Sequence, residues 1–129
     1  MDERSGQLPL ASKVVLVCED SAIIALDCET LLLELGARSV HIAATISEAR
    51  ALIDAGLDLA ILDVNLGGEN TLAIADELRL KKTPLIFMSG YFGVREMAEK
   101  FGGTPAIAKP YSQKDLAEAC RAALDAARR

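Results

Sequence analysis

Five polar side chains from four separate segments of the sequence have the types that bind a divalent cation and a phosphoryl group. Glu19 and Asp20 follow the apolar run VVLVC, and Asp63 ends the run LAILD. Ser89 ends LIFMS, and Lys109 follows the short stretch AIA. Carboxylate oxygens are ligands for Mg²⁺, and a lysine ammonium pairs with a phosphoryl oxygen. If these segments meet, the sequence predicts metal-assisted phosphoryl chemistry.

The segments that carry these side chains alternate between strand and helix patterns. Apolar runs of strand length predict strands at 14–18, 39–44, 59–63, 85–89 and 106–108. Helical patterns follow each run, at about 21–36, 45–56, 70–80, 94–101 and 112 onward. Five strands alternating with five helices indicate a parallel sheet with helices on both faces. The carboxyl ends of such strands share one edge, where ligands bind, so the polar residues should meet there.

Cap residues indicate where several of these helices begin. Thr45 and Glu48 have the spacing of a capping box, and so do Ser112 and Asp115. Asn70 is a plausible cap for the third helix.

The totals bound the class of protein. A chain of 129 residues suits one domain, and we expect residues 1–12 to be a flexible extension and 13–129 the domain. Fourteen basic and nineteen acidic residues give a net charge of -5 without a basic stripe, which argues against a nucleic-acid partner. The N-terminus is acidic and no apolar run could span a membrane, so we expect a cytoplasmic protein. An odd cysteine count without metal spacing indicates reduced, packed thiols.

Four motifs in chain order resemble receiver domains of two-component response regulators: CED, ILDVNLGG, FMSGY and AKPYS. The resemblance covers nearly the whole chain from about residue 13. It implies a flavodoxin-like fold with a five-stranded parallel sheet in the order 2-1-3-4-5. It also implies a phosphoacceptor with slow autodephosphorylation at most, rather than an enzyme, that serves as a stand-alone switch or phosphate shuttle.

The same resemblance assigns roles to the polar residues. Asp63 is expected to take a phosphoryl group from a sensor histidine kinase or a histidine phosphotransfer protein. Mg²⁺ or Mn²⁺ would be held by Asp20, Asp63 and the backbone carbonyl of Asn65, with Glu19 assisting.

Two further residues would bind the transferred group. Ser89 and Lys109 would each contact a phosphoryl oxygen, and the bond between Lys109 and Pro110 is expected to be cis.

Two features bear on partners and output. A second apolar stripe on the first helix, with Ile23, Leu26 and Leu33, is either a docking surface for the kinase or ordinary exposed apolar residues. Ala106 stands where many receivers have an aromatic switch residue, so we expect the signal to be relayed by another route. FMSGYF resembles the motif Phe-Ala-Thr-Gly-hydrophobic-Tyr of a receiver subgroup.

We expect the protein to be a monomer or a weak dimer. We also expect it to act on a downstream protein target, which the sequence does not identify.

Two other functions stay open. One is a metal-dependent phosphohydrolase with an aspartyl nucleophile. Haloacid-dehalogenase-like enzymes of this kind use a second Asp as acid and base two residues after the nucleophile, where this chain has Asn65. The other is a degenerate receiver that acts only as a binding module.

Overall fold

The computed structural model describes residues 8–90 and 102–128. The elements, in chain order, are β1 (Val14–Cys18), α1 (Ala22–Glu34), β2 (Ser39–Ala43), α2 (Ile46–Leu52), β3 (Leu59–Asp63), β4 (Asn65–Leu66), β5 (Glu69–Asn70), α3 (Leu72–Leu80), β6 (Leu85–Ser89), β7 (Ala106–Ala108) and α4 (Gln113–Ala127). The helix predicted near 94–101 lies outside the described residues.

Five strands form one parallel sheet in the order β2-β1-β3-β6-β7. The two short strands β4 and β5 pair with each other as an antiparallel hairpin. Counting the strands of the main sheet alone, the order is the predicted 2-1-3-4-5, and the flavodoxin-like receiver fold is confirmed. The three central strands are continuous apolar runs because both of their faces are buried.

Alternate residues of each strand pack on opposite faces of the sheet. Val17 and Ile61 lie in one core, against α1 and α4. Leu16 and Leu62 lie in the other, against α2 and α3. The helices therefore cover both faces, and the carboxyl edge of the sheet is left for polar residues.

One of the two predicted capping boxes is complete, and the start of α3 also differs from the prediction. Ser112 and Asp115 form a reciprocal box. Thr45 accepts a hydrogen bond from the N–H of Glu48, but the Glu48 side chain accepts from the N–H of Ala44 and not from that of Thr45, so this box is half formed. The prediction that Asn70 caps the third helix was wrong, since Asn70 lies in β5 and Thr71 occupies the cap position. The Asn70 side chain still accepts a hydrogen bond from the N–H of Leu72.

Residues 8–13 turn beneath the amino end of β1 and the end of α1. Leu10 is fully buried in the α1 and α4 core, and its N–H donates to the carbonyl of Leu35 over 3.0 Å. Gly36 has a φ of +104°, and a Cβ there would lie 2.8 Å from the Cβ of Leu8. Because residues 1–7 are not described, the division of the chain at residue 12 stays a prediction.

The three cysteines are buried and form no disulfide. Burial raises the pKa of Cys18 to about 12, that of Cys28 to about 11 and that of Cys120 to about 12. Thiols with such pKa values are almost wholly protonated at neutral pH, so they behave as small apolar groups of the core.

Candidate functional site

Asp63 ends the central strand of the sheet, and the residue is only 6% exposed. Lys109 Nζ lies 2.5 Å from Asp63 Oδ2, and the N–H of Asn65 donates to Oδ1 over 3.2 Å. One carboxylate oxygen is thus paired with a cation and the other accepts from the main chain. A buried charge is stable only with such partners.

The two acidic residues that follow β1 lie beside Asp63. Glu19 is 1% exposed, and its Oε2 accepts a hydrogen bond of 2.9 Å from the N–H of Ser21. Lys109 Nζ lies 2.6 Å from Glu19 Oε1. That oxygen has the ammonium as a charge partner, but it makes no well-aligned hydrogen bond within the described part of the chain.

Asp20 is exposed at the rim of the site. Its Oδ2 accepts a hydrogen bond of 3.0 Å from the N–H of Gly67, in the turn of the β4–β5 hairpin. That hydrogen bond is the main reason why the pKa of Asp20 is held below its usual value. The hairpin therefore contacts the acidic group directly.

The three carboxylates form a group whose chemistry fits a magnesium ion. One oxygen from each of Glu19, Asp20 and Asp63 can be chosen such that all three lie within 4.8 Å of one another. Hard oxygen donors in a compact group are what Mg²⁺ prefers. The partly unsatisfied Oε1 of Glu19 adds a buried acceptor that a cation would compensate.

Lys109 supplies the positive charge of the site. Its side chain is 18% exposed. Partial burial lowers the pKa of Lys109, but the hydrogen bond to Asp63 and the negative charges of Asp63 and Glu19 outweigh that effect, so the pKa is net raised. The peptide bond between Lys109 and Pro110 is cis, as expected from the resemblance.

Ser89 is buried at the carboxyl end of β6, next to β3 in the sheet. Its carbonyl accepts a hydrogen bond of 2.8 Å from the N–H of Lys109. The structure therefore brings Glu19, Asp20, Asp63 and Lys109 together through their side chains, and Ser89 joins them through its main chain.

Thr71 is a residue of this region that the sequence did not single out. It is fully buried, and its hydroxyl donates to the backbone carbonyl of Asp63 over 2.8 Å. A threonine just before a helix is an ordinary cap signal. Nothing in the sequence pattern distinguishes one that turns back toward a strand.

A model of the response regulator receiver domain matches residues 15–121. The chain belongs to the response regulator receiver family. Within this family, the acidic triad Glu19, Asp20 and Asp63 has the arrangement typical of the receiver Mg²⁺ site. A comparison with curated proteins gave no match.

Several solved structures are similar to this chain. SdrG from Sphingomonas melonis Fr1 is 32% identical, with a TM-score of 0.76, over 88% of this chain and 97% of that one. The PhyR stress response regulator is 28% identical, with a TM-score of 0.71, over 89% of this chain and 46% of that one. The anti-anti-sigma factor PhyR from Bartonella quintana is 25% identical, with a TM-score of 0.75, over 88% and 48%. This receiver chain spans about half the length of the PhyR proteins.

The resemblance stated from the motifs is thus confirmed at the level of the family.

Among the described residues, no helix is both long and apolar enough to cross a lipid bilayer.

Proposed function

We propose that this receiver is a phosphoacceptor whose acceptor is Asp63. The observation that carries the proposal is the buried Asp63 carboxylate at the end of the central strand, paired with Lys109 and adjacent to Glu19 and Asp20. A carboxylate that is held by partners on both oxygens is pre-positioned for attack on a phosphoryl group.

In the proposed reaction, an oxygen of Asp63 attacks the phosphorus of a phosphohistidine on a partner protein. A P–O bond forms to the carboxylate as the P–N bond breaks, and the electron pair of that bond stays with the imidazole nitrogen. The product is an aspartyl phosphate. Slow attack by water would then release inorganic phosphate and restore the carboxylate.

Glu19, Asp20, Asp63 and the backbone carbonyl of Asn65 would hold Mg²⁺ or Mn²⁺. When bound, the ion neutralises charge on the carboxylates and on the phosphoryl oxygens. The protein's own contribution is to keep three carboxylates close enough to bind one cation together.

Ser89 and Lys109 are the proposed ligands of the transferred group. The ammonium of Lys109 would pair with one phosphoryl oxygen, exchanging part of its contact with Asp63 for the new charge. The hydroxyl of Ser89 would donate to another oxygen. The hydrogen bond between Ser89 and Lys109 keeps these two residues in fixed register at the strand ends.

The proposed donor is a sensor histidine kinase or a histidine phosphotransfer protein, which would dock on α1. Ile23 is 75% exposed, and Leu26 and Leu33 lie on the same stripe of the helix. The helix carries no basic residue, so a partner helix with an apolar stripe flanked by lysine or arginine would suit it.

We also propose a cytoplasmic, stand-alone protein, monomeric or weakly dimeric, that acts as a switch or phosphate shuttle without nucleic-acid or membrane partners. The proposal that the protein stands alone is supported by the match to SdrG, which covers 97% of the length of that chain. FMSGYF resembles the subgroup motif stated above, and Ala106 provides no aromatic switch, so the signal would leave by another route.

The test is phosphorylation of the purified protein by acetyl phosphate with Mg²⁺, followed by intact-mass measurement. We expect the mass of one phosphoryl group to be gained, to be lost on treatment with acid or hydroxylamine, and to be absent in Asp63→Asn. Failure of the wild type to gain it from acetyl phosphate or from any candidate kinase would favour the binding-module alternative. Steady turnover of a phosphomonoester would favour a phosphohydrolase.

A further inference from the structure

The side chain of Thr71 lies buried beneath the loop that follows Asp63. Its hydroxyl donates to the carbonyl of Asp63 over 2.8 Å, and its N–H donates to the carbonyl of Val64 over 3.1 Å. Although Thr71 occupies the cap position of α3, its hydroxyl makes no cap bond to that helix. The hydroxyl therefore binds the end of β3, which carries Asp63, and not the start of α3.

The segment between Asp63 and Thr71 is the β4–β5 hairpin, in which Asn65 pairs with Asn70. Two N–H groups of this hairpin reach the carboxylates. Asn65 donates to Asp63 Oδ1 over 3.2 Å, and Gly67 donates to Asp20 Oδ2 over 3.0 Å. Thr71 closes the base of the hairpin by its hydrogen bonds to the carbonyls of residues 63 and 64. These bonds fix the position of the Asn65 and Gly67 N–H groups.

We propose that Thr71 is a positioning residue of the Asp63 site. Its hydroxyl holds the hairpin so that the Asn65 and Gly67 N–H groups keep the Asp63 and Asp20 carboxylates in the orientation that binds a cation. The consequences for metal and phosphoryl group rest on the proposed function. Replacing the hydroxyl by a methyl group removes the Asp63 carbonyl's side-chain donor while the side chain keeps its shape.

The experiment compares Thr71→Val with Thr71→Ser in the full chain. We expect Thr71→Val to weaken Mg²⁺ binding about tenfold, the scale for losing a residue that orients metal ligands, as measured by titration calorimetry with the metal alone. The amide hydrogens of Asn65 and Gly67 should also exchange faster with solvent by NMR. Thr71→Ser, which retains the hydroxyl, should stay within about twofold of the wild type in both measurements.

Ile74→Val is the matched control, because Ile74 is a fully buried residue of α3 in the hydrophobic core and its side chain has no group that can donate a hydrogen bond. If Thr71→Val loses no more Mg²⁺ affinity and no more amide protection than Ile74→Val, the proposal is overturned. Faster exchange confined to residues 65 and 67 supports it even in a protein that takes no phosphate. Absence of phosphorylation in the wild type would count only against the proposed function.

Discussion

Replacing Lys109 with Met removes the cation that two buried carboxylates share. Lys109 Nζ lies 2.5 Å from Asp63 and 2.6 Å from Glu19, and both acids are almost fully buried. Breaking a buried ion pair from one side costs about 3–5 kcal/mol. Because the lysine side chain is 18% exposed, water screens part of this loss, and we take about 3 kcal/mol.

For a domain of this size, such a loss lowers the melting temperature by about 10 °C. The pKa of Lys109 is raised in the folded protein, so its contribution is complete at neutral pH and is lost only as the pH rises through that folded value. Thermal denaturation at pH 7 without divalent cations therefore measures the full effect. Lys114→Met is the control, because it removes the same charge from an exposed position on α4.

Magnesium provides the second arm of this assay. Without Lys109, the three carboxylates have no cationic partner that the described residues show, so an added cation should stabilise the variant more than the wild type. We expect saturating Mg²⁺ to recover at least half of the lost melting temperature. A variant that melts within about 2 °C of the Lys114→Met control, or a gap that Mg²⁺ leaves unchanged, would refute the charge argument.

Three further perturbations test other parts of the molecule. Asp20→Asn should blunt the rise in melting temperature that Mg²⁺ gives the wild type, because it removes one of three clustered carboxylates; an unchanged Mg²⁺ response would remove Asp20 from the ligand set. Changing Leu26 and Leu33 together to Ser should slow phosphotransfer from the kinase without altering Mg²⁺ affinity, and equal transfer rates would contradict docking on α1. Gly36→Ala should destabilise the fold by about 1–3 kcal/mol in urea denaturation, because φ is +104° and the new Cβ would clash with the N-terminal segment. Gly56→Ala, at positive φ in open space, is its control, and an equal loss in both would show that the clash is unimportant.

The strands were predictable because both faces of a parallel sheet are buried. Runs such as VVLVC and LAILD admit few other structures at that length, and their bounds agree with β1 and β3. The clustering of Glu19, Asp20, Asp63 and Lys109 could also be predicted, because each follows or ends a strand whose carboxyl end faces the same edge.

What could not be predicted lies in the loop between Asp63 and α3. Residues 65–70 pair as a hairpin that donates to Asp20, and nothing in the sequence pattern indicated this. Two-residue strands leave no periodic pattern, and the partner of each N–H is set by tertiary contacts. The role of the Thr71 hydroxyl could not be predicted for the same reason, because its acceptor is a main-chain carbonyl whose position is set by tertiary contacts.

Leu10 extends the receiver's hydrophobic core upstream of the region that defines the family. The match to the family model begins at residue 15, yet Leu10 is completely enclosed and its N–H is bonded to the end of α1. A chain trimmed to the matched region would lose a core leucine, a loss on the scale of the about 2–5 kcal/mol that truncating a buried leucine costs. Any fragment or fusion of this receiver therefore needs to include Leu10, upstream of the first strand.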